Sequence, residues 1–222
     1  MISNDVPRLI CVCILSAGPA AAARDDSRLC DMAAADAAAE FDVPVDILLA
    51  ITRVETGRGH GGGLHPWPWA INQGGAGGWF DTSELAITAA EEVLASGRNN
   101  VDIGCFQLNY RWHGEAFPSV TAMFDPVDNA RYAAGFLADL YADKGEWPAA
   151  IAAYHSRTPE HANRYLARIE TVLAGLTGAD IVTAPEPEAR ENRFPLLLAG
   201  AQGANGSLVP VQLARAPLIG AP

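Results

Sequence analysis

Basic residues are scarce in this sequence, which has 15 lysines and arginines against 26 aspartates and glutamates in 222 residues. The formal net charge at pH 7 is therefore −11. Proteins that bind nucleic acid normally present a basic face or stripe to the phosphates. The charge balance therefore argues against nucleic acid as a partner.

Long hydrophobic runs are missing beyond the N-terminus. There, Arg8 precedes an apolar run from Leu9 to Ala17, and the alanines at 20–23 offer a cleavage site. This pattern predicts a secretory signal peptide over residues 1–23, with a merely apolar terminus as the alternative. No later segment approaches the roughly 20 apolar residues of a membrane span, so we expect no membrane span in the mature chain.

Cysteine is also rare, with four residues in the whole chain. Signal cleavage would remove Cys11 and Cys13 and leave Cys30 and Cys105 in an oxidising compartment. That favours one disulfide, and two separate buried thiols are the alternative. Closing a loop of roughly 75 residues would stabilise the fold by about 4 kcal/mol.

No strand precedes the most glycine-rich stretch, "VETGRGHGGG". Gly57, Gly59 and Gly62 spell GxGxxG, and Asp81 follows at the distance of a ribose-binding acid. A dinucleotide fingerprint needs a strand before its glycines and a helix after them, whereas here a helix comes first and a loop follows. The glycines are better explained as the end of that helix, with the backbone running close beside a cleft.

The helix before these glycines carries Leu48, Ile51 and Glu55 at positions i, i+3 and i+7. The carboxylate therefore shares a face with apolar residues, although a terminal glutamate that points to water is the simpler alternative. Asp42 or Val43 can cap this helix, with Pro44 in its first turn.

The remaining pattern predicts one α+β domain, mainly α, over residues 24–178. Helices are expected over Leu29–Phe41, after Asp81 and Glu84 in capping-box spacing with Gly97 as the stop, and from Pro126 with Gly145 as the stop. Two more helices follow, "WPAAIAAYHS" and "PEHANRYLARIETVLAGL". The glycine-rich turn in "PWPWAINQGGAGGWF" predicts a small β-hairpin, while "NNVDIGCFQLNYRWHGEAF" has no clear period and is expected to be irregular.

Residues 179–222 are rich in Ala, Pro and Gly. This composition predicts a disordered C-terminal tail, with partner docking through its apolar stretches as the alternative.

Three fragments in order, "VETG", "DIGCFQLN" and "AAYHS", resemble the catalytic domain of the soluble lytic transglycosylases, lysozyme-like enzymes that cleave peptidoglycan. The family pattern is Glu-Ser, then Gly-x-x-Gln, then Ala-Tyr-Asn, and the resemblance spans about Leu29 to Leu176. It implies a lysozyme-like single catalytic domain, peptidoglycan glycan strands as the substrate, no cofactor and a periplasmic location. It also implies that Glu55 is the catalytic acid and base, that Gln107 lines the saccharide subsites and that Tyr154 lies beside the glutamate.

Two positions depart from the family pattern. Thr56 replaces the serine and keeps a hydroxyl, whereas His155 replaces the asparagine, so the family's way of holding glycan does not carry over at this position. "GCFQLNYRWHG" and "YHSRTPE" look most like the specialised members that open the wall for flagella or secretion machines. A component of such a machine, bound through the tail, is the protein partner that this resemblance suggests.

The chemistry can be argued from Glu55 itself. Cleaving a glycosidic bond near pH 7 needs a carboxylic acid that is still protonated, and burial and the negative end of a helix both raise the pKa of a carboxyl. In lytic transglycosylases the same group then acts as base on the muramic acid 6-hydroxyl, which attacks the anomeric carbon and leaves 1,6-anhydromuramic ends.

Aromatic side chains are expected in the groove walls, where flat rings can stack on sugars, with core packing as the alternative. The candidates are Trp67, Trp69, Trp79, Tyr110 and Trp112. Among these, Trp69 and Tyr110 are taken, with Gln107, Tyr154, His155 and Thr56, as substrate-binding residues.

Two rival functions remain open. A hydrolytic muramidase would need a second carboxylate across the cleft, for which Asp81 and Asp102 are the candidates. A noncatalytic peptidoglycan-binding or assembly protein on the same scaffold is the other, and retention of Glu55 argues against it. His60, His65 and His113 are not expected to bind metal, because glycines and prolines separate the first two. A Ser or Cys nucleophile is not expected either, because no serine elbow is present and Cys105 is predicted to be oxidised.

Overall fold

A computed structural model of the protein describes residues 26–60 and 63–178. The predicted signal peptide and the predicted C-terminal tail lie outside the described residues. The helices within them are α1 (Ser27–Phe41), α2 (Val45–Thr56), α3 (Ser83–Ala95), α4 (Tyr110–His113), α5 (Val120–Phe124), α6 (Pro126–Lys144), α7 (Trp147–His155) and α8 (Pro159–Gly175). The strands are β1 (Arg58–His60), β2 (Gly63–His65), β3 (Ala70–Gln73), β4 (Ala76–Trp79), β5 (Asp102–Ile103) and β6 (Leu108–Asn109). The predicted α+β class, mainly α, is confirmed.

The core is built around α2, whose Leu48, Leu49 and Ile51 are fully buried. α1 packs against α2 and α6, and α8 packs against α2 and α7. Alanine dominates the buried face of α1, and such small side chains let neighbouring helices approach closely while apolar area is removed from water. Helices α1 and α8 thus both pack against α2.

A buried ion pair ties α2 to α1 just before Glu55. Arg53 Nη1 and Nη2 donate to the two carboxylate oxygens of Asp31 at 2.8 and 3.3 Å, and Nη1 also donates to the Leu49 carbonyl oxygen at 3.1 Å. A bidentate, well-bonded geometry is what offsets the cost of taking both charges out of water. The pair sets the position of the last turn of α2.

The predicted end of α2 at Gly57 is confirmed. A Cβ on this residue would lie 2.2 Å from the Arg53 carbonyl oxygen and 2.5 Å from Leu64 Cγ, so only glycine lets the chain leave here. The predicted start was wrong, because Pro44 precedes the helix in an extended conformation instead of lying in its first turn. The fixed φ of proline suits both the residue before a helix and the first helical residue, so the sequence alone does not distinguish these two positions.

The predicted β-hairpin is confirmed as β3 and β4, joined by Gly74 and Gly75, which both have positive φ. It is part of an antiparallel sheet in the order β4-β3-β5-β6. β5 and β6 lie in the segment that was predicted to be irregular, as does α4. β1 and β2 form a second hairpin in what was predicted to be a loop. These elements are two to four residues long, too short for a period to show.

Two of the other helix predictions need correction. α1 begins at Ser27 rather than Leu29. α3 is capped by Thr82, whose hydroxyl accepts from the Leu85 N–H at 3.4 Å, and not by an Asp81–Glu84 capping box. Both errors are shifts of one or two residues at a helix end, where several polar residues compete for the cap. The predicted start at Pro126 and the left-handed Gly145 stop are confirmed.

The predicted disulfide between Cys30 and Cys105 is present and joins α1 to the segment that follows β5. The same segment is held by Asn129 of α6, which is fully buried. Its Oδ1 accepts from the Phe106 N–H at 2.9 Å, and its Nδ2 donates to the Ile103 and Met123 carbonyl oxygens at 3.1 and 2.9 Å. The disulfide and these hydrogen bonds fix the position of the backbone that leads to Gln107.

Within the described ranges, no helix has the length and apolar character needed to cross a membrane.

Candidate active site

A cleft of about 310 Å³ opens at the end of α2. Residues from helices α2, α4, α6 and α7 and from the four-stranded sheet line it. The lining residues are Glu55, Asn72, Asp102, Gln107, Leu108, Asn109, Trp112, His113, Phe136, Tyr154 and His155. Glu55, Gln107, Tyr154 and His155, which the sequence singled out, therefore meet at one cleft.

Glu55 is the second-last residue of α2 and is partly buried. Burial raises the pKa of its carboxyl from 4.5 to about 7. The hydroxyl of Tyr165 opposes this shift, the negative charge of Asp102 adds to it, and the positive charge of Arg168 opposes it. Burial dominates because the ionised carboxylate loses more hydration than its neighbours restore. The group can therefore hold a proton at neutral pH.

Tyr165 on α8 is a part of the site that sequence reasoning missed. Its side chain is 2% exposed, and its hydroxyl lies beside the Glu55 carboxyl. Among the described residues, no group meets both the distance and the angle required for a hydrogen bond with this hydroxyl. It shares the buried face of α8 with Ala162 and Ile169. A tyrosine in that apolar stripe was the available signal, since buried tyrosine hydroxyls usually find a polar partner.

Tyr154 on α7 lines the same cleft as Glu55. Its hydroxyl donates to the Phe106 carbonyl oxygen at 3.0 Å. Burial, and then the negative charge of Glu55, raise its pKa well above the ordinary value, so it remains a neutral hydroxyl. The hydrogen bond connects α7 to the segment that carries Gln107.

Gln107 lines the cleft from a left-handed backbone conformation, with φ of 46°. Its side-chain nitrogen donates to the Gly104 and Ala70 carbonyl oxygens at 3.0 and 3.2 Å. A non-glycine residue with positive φ is held there at some cost in strain by the surrounding structure. The amide is thereby fixed in the cleft wall.

A second carboxylate, Asp102 of β5, shares the cleft with Glu55. It accepts from Asn109 Nδ2 at 2.7 Å and from Asn72 Nδ2 at 3.1 Å. Burial raises its pKa, and these two hydrogen bonds oppose the shift. Asp81, the other candidate, is exposed just before α3 and does not line this cleft.

Two histidines complete the polar lining. His113 Nδ1 lies 2.9 Å from the Tyr132 hydroxyl, and burial lowers its pKa while the charge of Asp102 opposes the shift. His155 stacks on Tyr165 with ring centroids 4.4 Å apart and planes 3° from parallel. Burial, and then the charges of Arg168 and His161, lower its pKa.

Thr56 does not line the cleft. Its hydroxyl donates to the Thr52 carbonyl oxygen at 3.0 Å and accepts from the Trp67 N–H at 3.0 Å. The residue is buried, and its hydroxyl holds the loop after α2 through the bond to Trp67. The structure therefore gives it a role in positioning the backbone.

Most of the singled-out aromatic residues also lie away from the cleft lining. The Trp69 indole N–H donates to Asp26 Oδ2 at 2.8 Å, and Trp69 and Tyr110 pack against the core. Trp67 and Trp79 donate their indole N–H to the Phe80 and Thr56 carbonyl oxygens.

Trp112 does line the cleft, with 71% of its surface exposed and the Arg111 guanidinium over its ring. Among the aromatic candidates that the structure describes, it is the one that lines this cleft.

In the part of the chain that the structure describes, no three His, Cys, Asp or Glu side chains are grouped to hold a metal ion.

Residues 84–168 match the family model of the transglycosylase SLT domain. The match includes Gln107, Tyr154, His155 and Tyr165, and it begins after Glu55. The predicted resemblance to the lytic transglycosylases is confirmed by it, and so is the expected lysozyme-like α+β fold. No curated protein and no solved structure matches this sequence.

Proposed function

Since residues 84–168 match the transglycosylase SLT domain, we propose that this protein is a peptidoglycan lytic transglycosylase that cuts between N-acetylmuramic acid and N-acetylglucosamine. Glu55 is the general acid and base. The observation that carries the proposal is the position of Glu55 at the end of α2, in a cleft that it shares with Asp102, Gln107 and the exposed Trp112, where burial raises the pKa of its carboxyl to about 7.

The reaction needs a proton donor and a proton acceptor at one place. Glu55 gives its proton to the glycosidic oxygen as the bond from the muramic acid C1 breaks. The resulting carboxylate then takes the proton of the C6 hydroxyl while O6 bonds to C1, which closes the 1,6-anhydro ring. The reaction consumes no water, and Glu55 returns to its acid form.

The surrounding groups support this cycle. Burial and the charge of Asp102 favour the acid form of Glu55, whereas the Tyr165 hydroxyl and Arg168 favour the carboxylate. A pKa near neutrality serves a group that must both donate and accept a proton. Gln107 and Tyr154 border the sugar-binding space, and Trp112 offers a platform for a sugar ring.

Hydrolysis is a second candidate, because Asp102 shares the cleft with Glu55. In that reaction Asp102 would activate a water or attack C1 directly. Its two oxygens already accept from Asn72 and Asn109, which supports a positioning or electrostatic role over a reacting one.

Product analysis separates the two. Digestion of purified peptidoglycan is expected to yield 1,6-anhydromuramic ends, which borohydride does not reduce and which are about one water lighter than hydrolysis products. Glu55→Gln should fold and cut at least about 100-fold more slowly, while Glu91→Gln, an exposed change on α3, should cut normally. Predominantly reducible ends, or an active Glu55→Gln, would contradict the proposal.

Export to the periplasm follows from this substrate, and the predicted signal peptide agrees with it. We also propose that the protein acts with a flagellum or a secretion machine. This proposal rests on the likeness of "GCFQLNYRWHG" and "YHSRTPE" to specialised lytic transglycosylases.

A further inference from the structure

Basic side chains gather at one edge of the cleft, in a chain that is otherwise strongly acidic. We call this edge the basic rim, formed by His155 at the end of α7 and by His161, Arg164 and Arg168 on α8. The three α8 residues are spaced i, i+3 and i+7, so they lie on one face of the helix. His155 belongs to the cleft lining itself.

Contacts connect the rim to the candidate catalytic group. Arg168 Nη2 donates to the Val54 carbonyl oxygen at 3.0 Å, one residue before Glu55. The charge of Arg168 acts on the carboxyl of Glu55 and on the imidazole of His155. The rim therefore lies within electrostatic range of the reacting position.

The rest of the rim extends away from Glu55. His161 acts electrostatically on His155, and Arg164 Nη2 lies 3.2 Å from His161 Nδ1. Arg164 also pairs with Glu160 at 3.1 Å, with both side chains largely exposed. An exposed pair of this kind contributes little to stability, so an incoming anion can compete for the guanidinium at small cost.

The rim brings two guanidinium groups, those of Arg164 and Arg168, close to the cleft that His155 lines. Arg168 takes part in none of the contact ion pairs among the described residues. Guanidinium groups recognise carboxylates by paired N–H donors, and a neutral imidazole can donate as well. The basic rim is therefore suited to bind a carboxylate on the sugar that the proposed function places beside Glu55.

We infer that the basic rim binds a carboxylate carried on the lactyl group of muramic acid, so that it selects strands by their substituent. This inference rests on the proposed function, because it needs muramic acid beside Glu55. The carboxylate has two possible sources: the stem peptide, or the lactyl group itself when the peptide has been removed.

The test compares two substrates: strands that bear their stem peptides, and strands from which an amidase has removed them to leave lactyl carboxylates. Arg164→Gln is the variant, since it removes a rim charge without contacting Glu55. Arg164→Lys keeps the charge. The control is Arg131→Gln, which removes a cation on α6 that pairs with Glu40 of α1.

Arg164→Gln is expected to raise KM about fivefold with kcat unchanged, the size expected for one exposed charge pair. Arg164→Lys should recover much of the loss, and Arg131→Gln should behave as the unmodified protein. A loss confined to peptide-bearing strands identifies a carboxylate of the stem peptide, and a loss confined to peptide-free strands identifies the lactyl carboxylate. A loss on both substrates shows that the rim binds either carboxylate.

An unchanged KM on both substrates, or an equal loss in Arg131→Gln, overturns the inference. Failure of the unmodified protein to cut either substrate would instead count against the proposed function, so the two failures are distinguishable.

Discussion

The hydroxyl of Tyr165, buried on α8, lies beside the carboxyl of Glu55 at the end of α2. These two groups are 110 positions apart in the chain, yet the hydroxyl influences the protonation of the carboxyl. The hydroxyl stabilises the carboxylate form of Glu55, while burial stabilises the acid form and prevails. Each of these influences can be changed separately.

Glu55→Gln should stabilise the protein at alkaline pH. The pKa of Glu55 is raised from 4.5 to about 7 on folding, so wild type loses stability as pH rises between these values. The two proteins should be equally stable below about pH 4.5, and the variant should gain up to about 3 kcal/mol above pH 7.

Urea unfolding of both proteins at pH 4 and pH 8 measures this difference, with Glu91→Gln as the exposed control. A variant no more stable than wild type at pH 8 would show that the carboxyl is not held in its acid form.

Tyr165→Phe should move the alkaline limb of the pH–activity profile to higher pH. Removing the hydroxyl takes away a group that lowers the pKa of Glu55, so the acid form persists further. The ring and its stacking on His155 are retained. The measurement is kcat/KM against pH, and Tyr141→Phe, on the exposed side of α6, is the control. A midpoint that stays in place or falls would show that the hydroxyl does not act on Glu55.

Asp102→Asn should move the same limb to lower pH, because it removes a negative charge that raises the pKa of Glu55. Products should remain 1,6-anhydro ends. Asp81→Asn, an exposed change outside the cleft lining, is the matched control and should leave the profile in place.

A different result would reassign Asp102. Loss of more than about 100-fold at every pH in a folded Asp102→Asn protein would identify it as a reacting carboxylate. Reducible ends from wild type would then establish hydrolysis.

Asn129→Ala should destabilise the fold by about 3 kcal/mol or more. The change removes three buried hydrogen bonds and leaves the Phe106 N–H and the Ile103 and Met123 carbonyl groups without that partner. Chemical denaturation measures the loss, and Asn163→Ala on the exposed face of α8 should stay within about 0.5 kcal/mol. A comparably small loss in Asn129→Ala would mean that water replaces the amide there.

Local signals in the sequence were sufficient for much of the architecture. The Pro126 start and Gly145 stop of α6, the Gly-Gly turn of the hairpin and the glycine exit of α2 depend on the intrinsic conformational limits of proline and glycine, which act wherever those residues occur. The disulfide also followed from composition, because only two cysteines remain after the predicted signal peptide.

The sequence could also bring Glu55, Gln107, Tyr154 and His155 together, through the ordered fragments that carry them. It did not show that Thr56 turns inward to hold a loop, or that Trp69 binds Asp26. A side chain's direction depends on which neighbours pack against it, and a pattern of residue types does not record that.

What the sequence alone determined is the order of the elements and a glutamate at a helix end with an apolar face, because caps, turns and helical periods are local. Only the tertiary structure decided that Asp102 and not Asp81 shares the cleft, that Tyr165 faces Glu55 and that Arg168 lies near both Glu55 and His155. Those relations set the pKa of Glu55, because burial and charge act through space between residues that are distant in the chain.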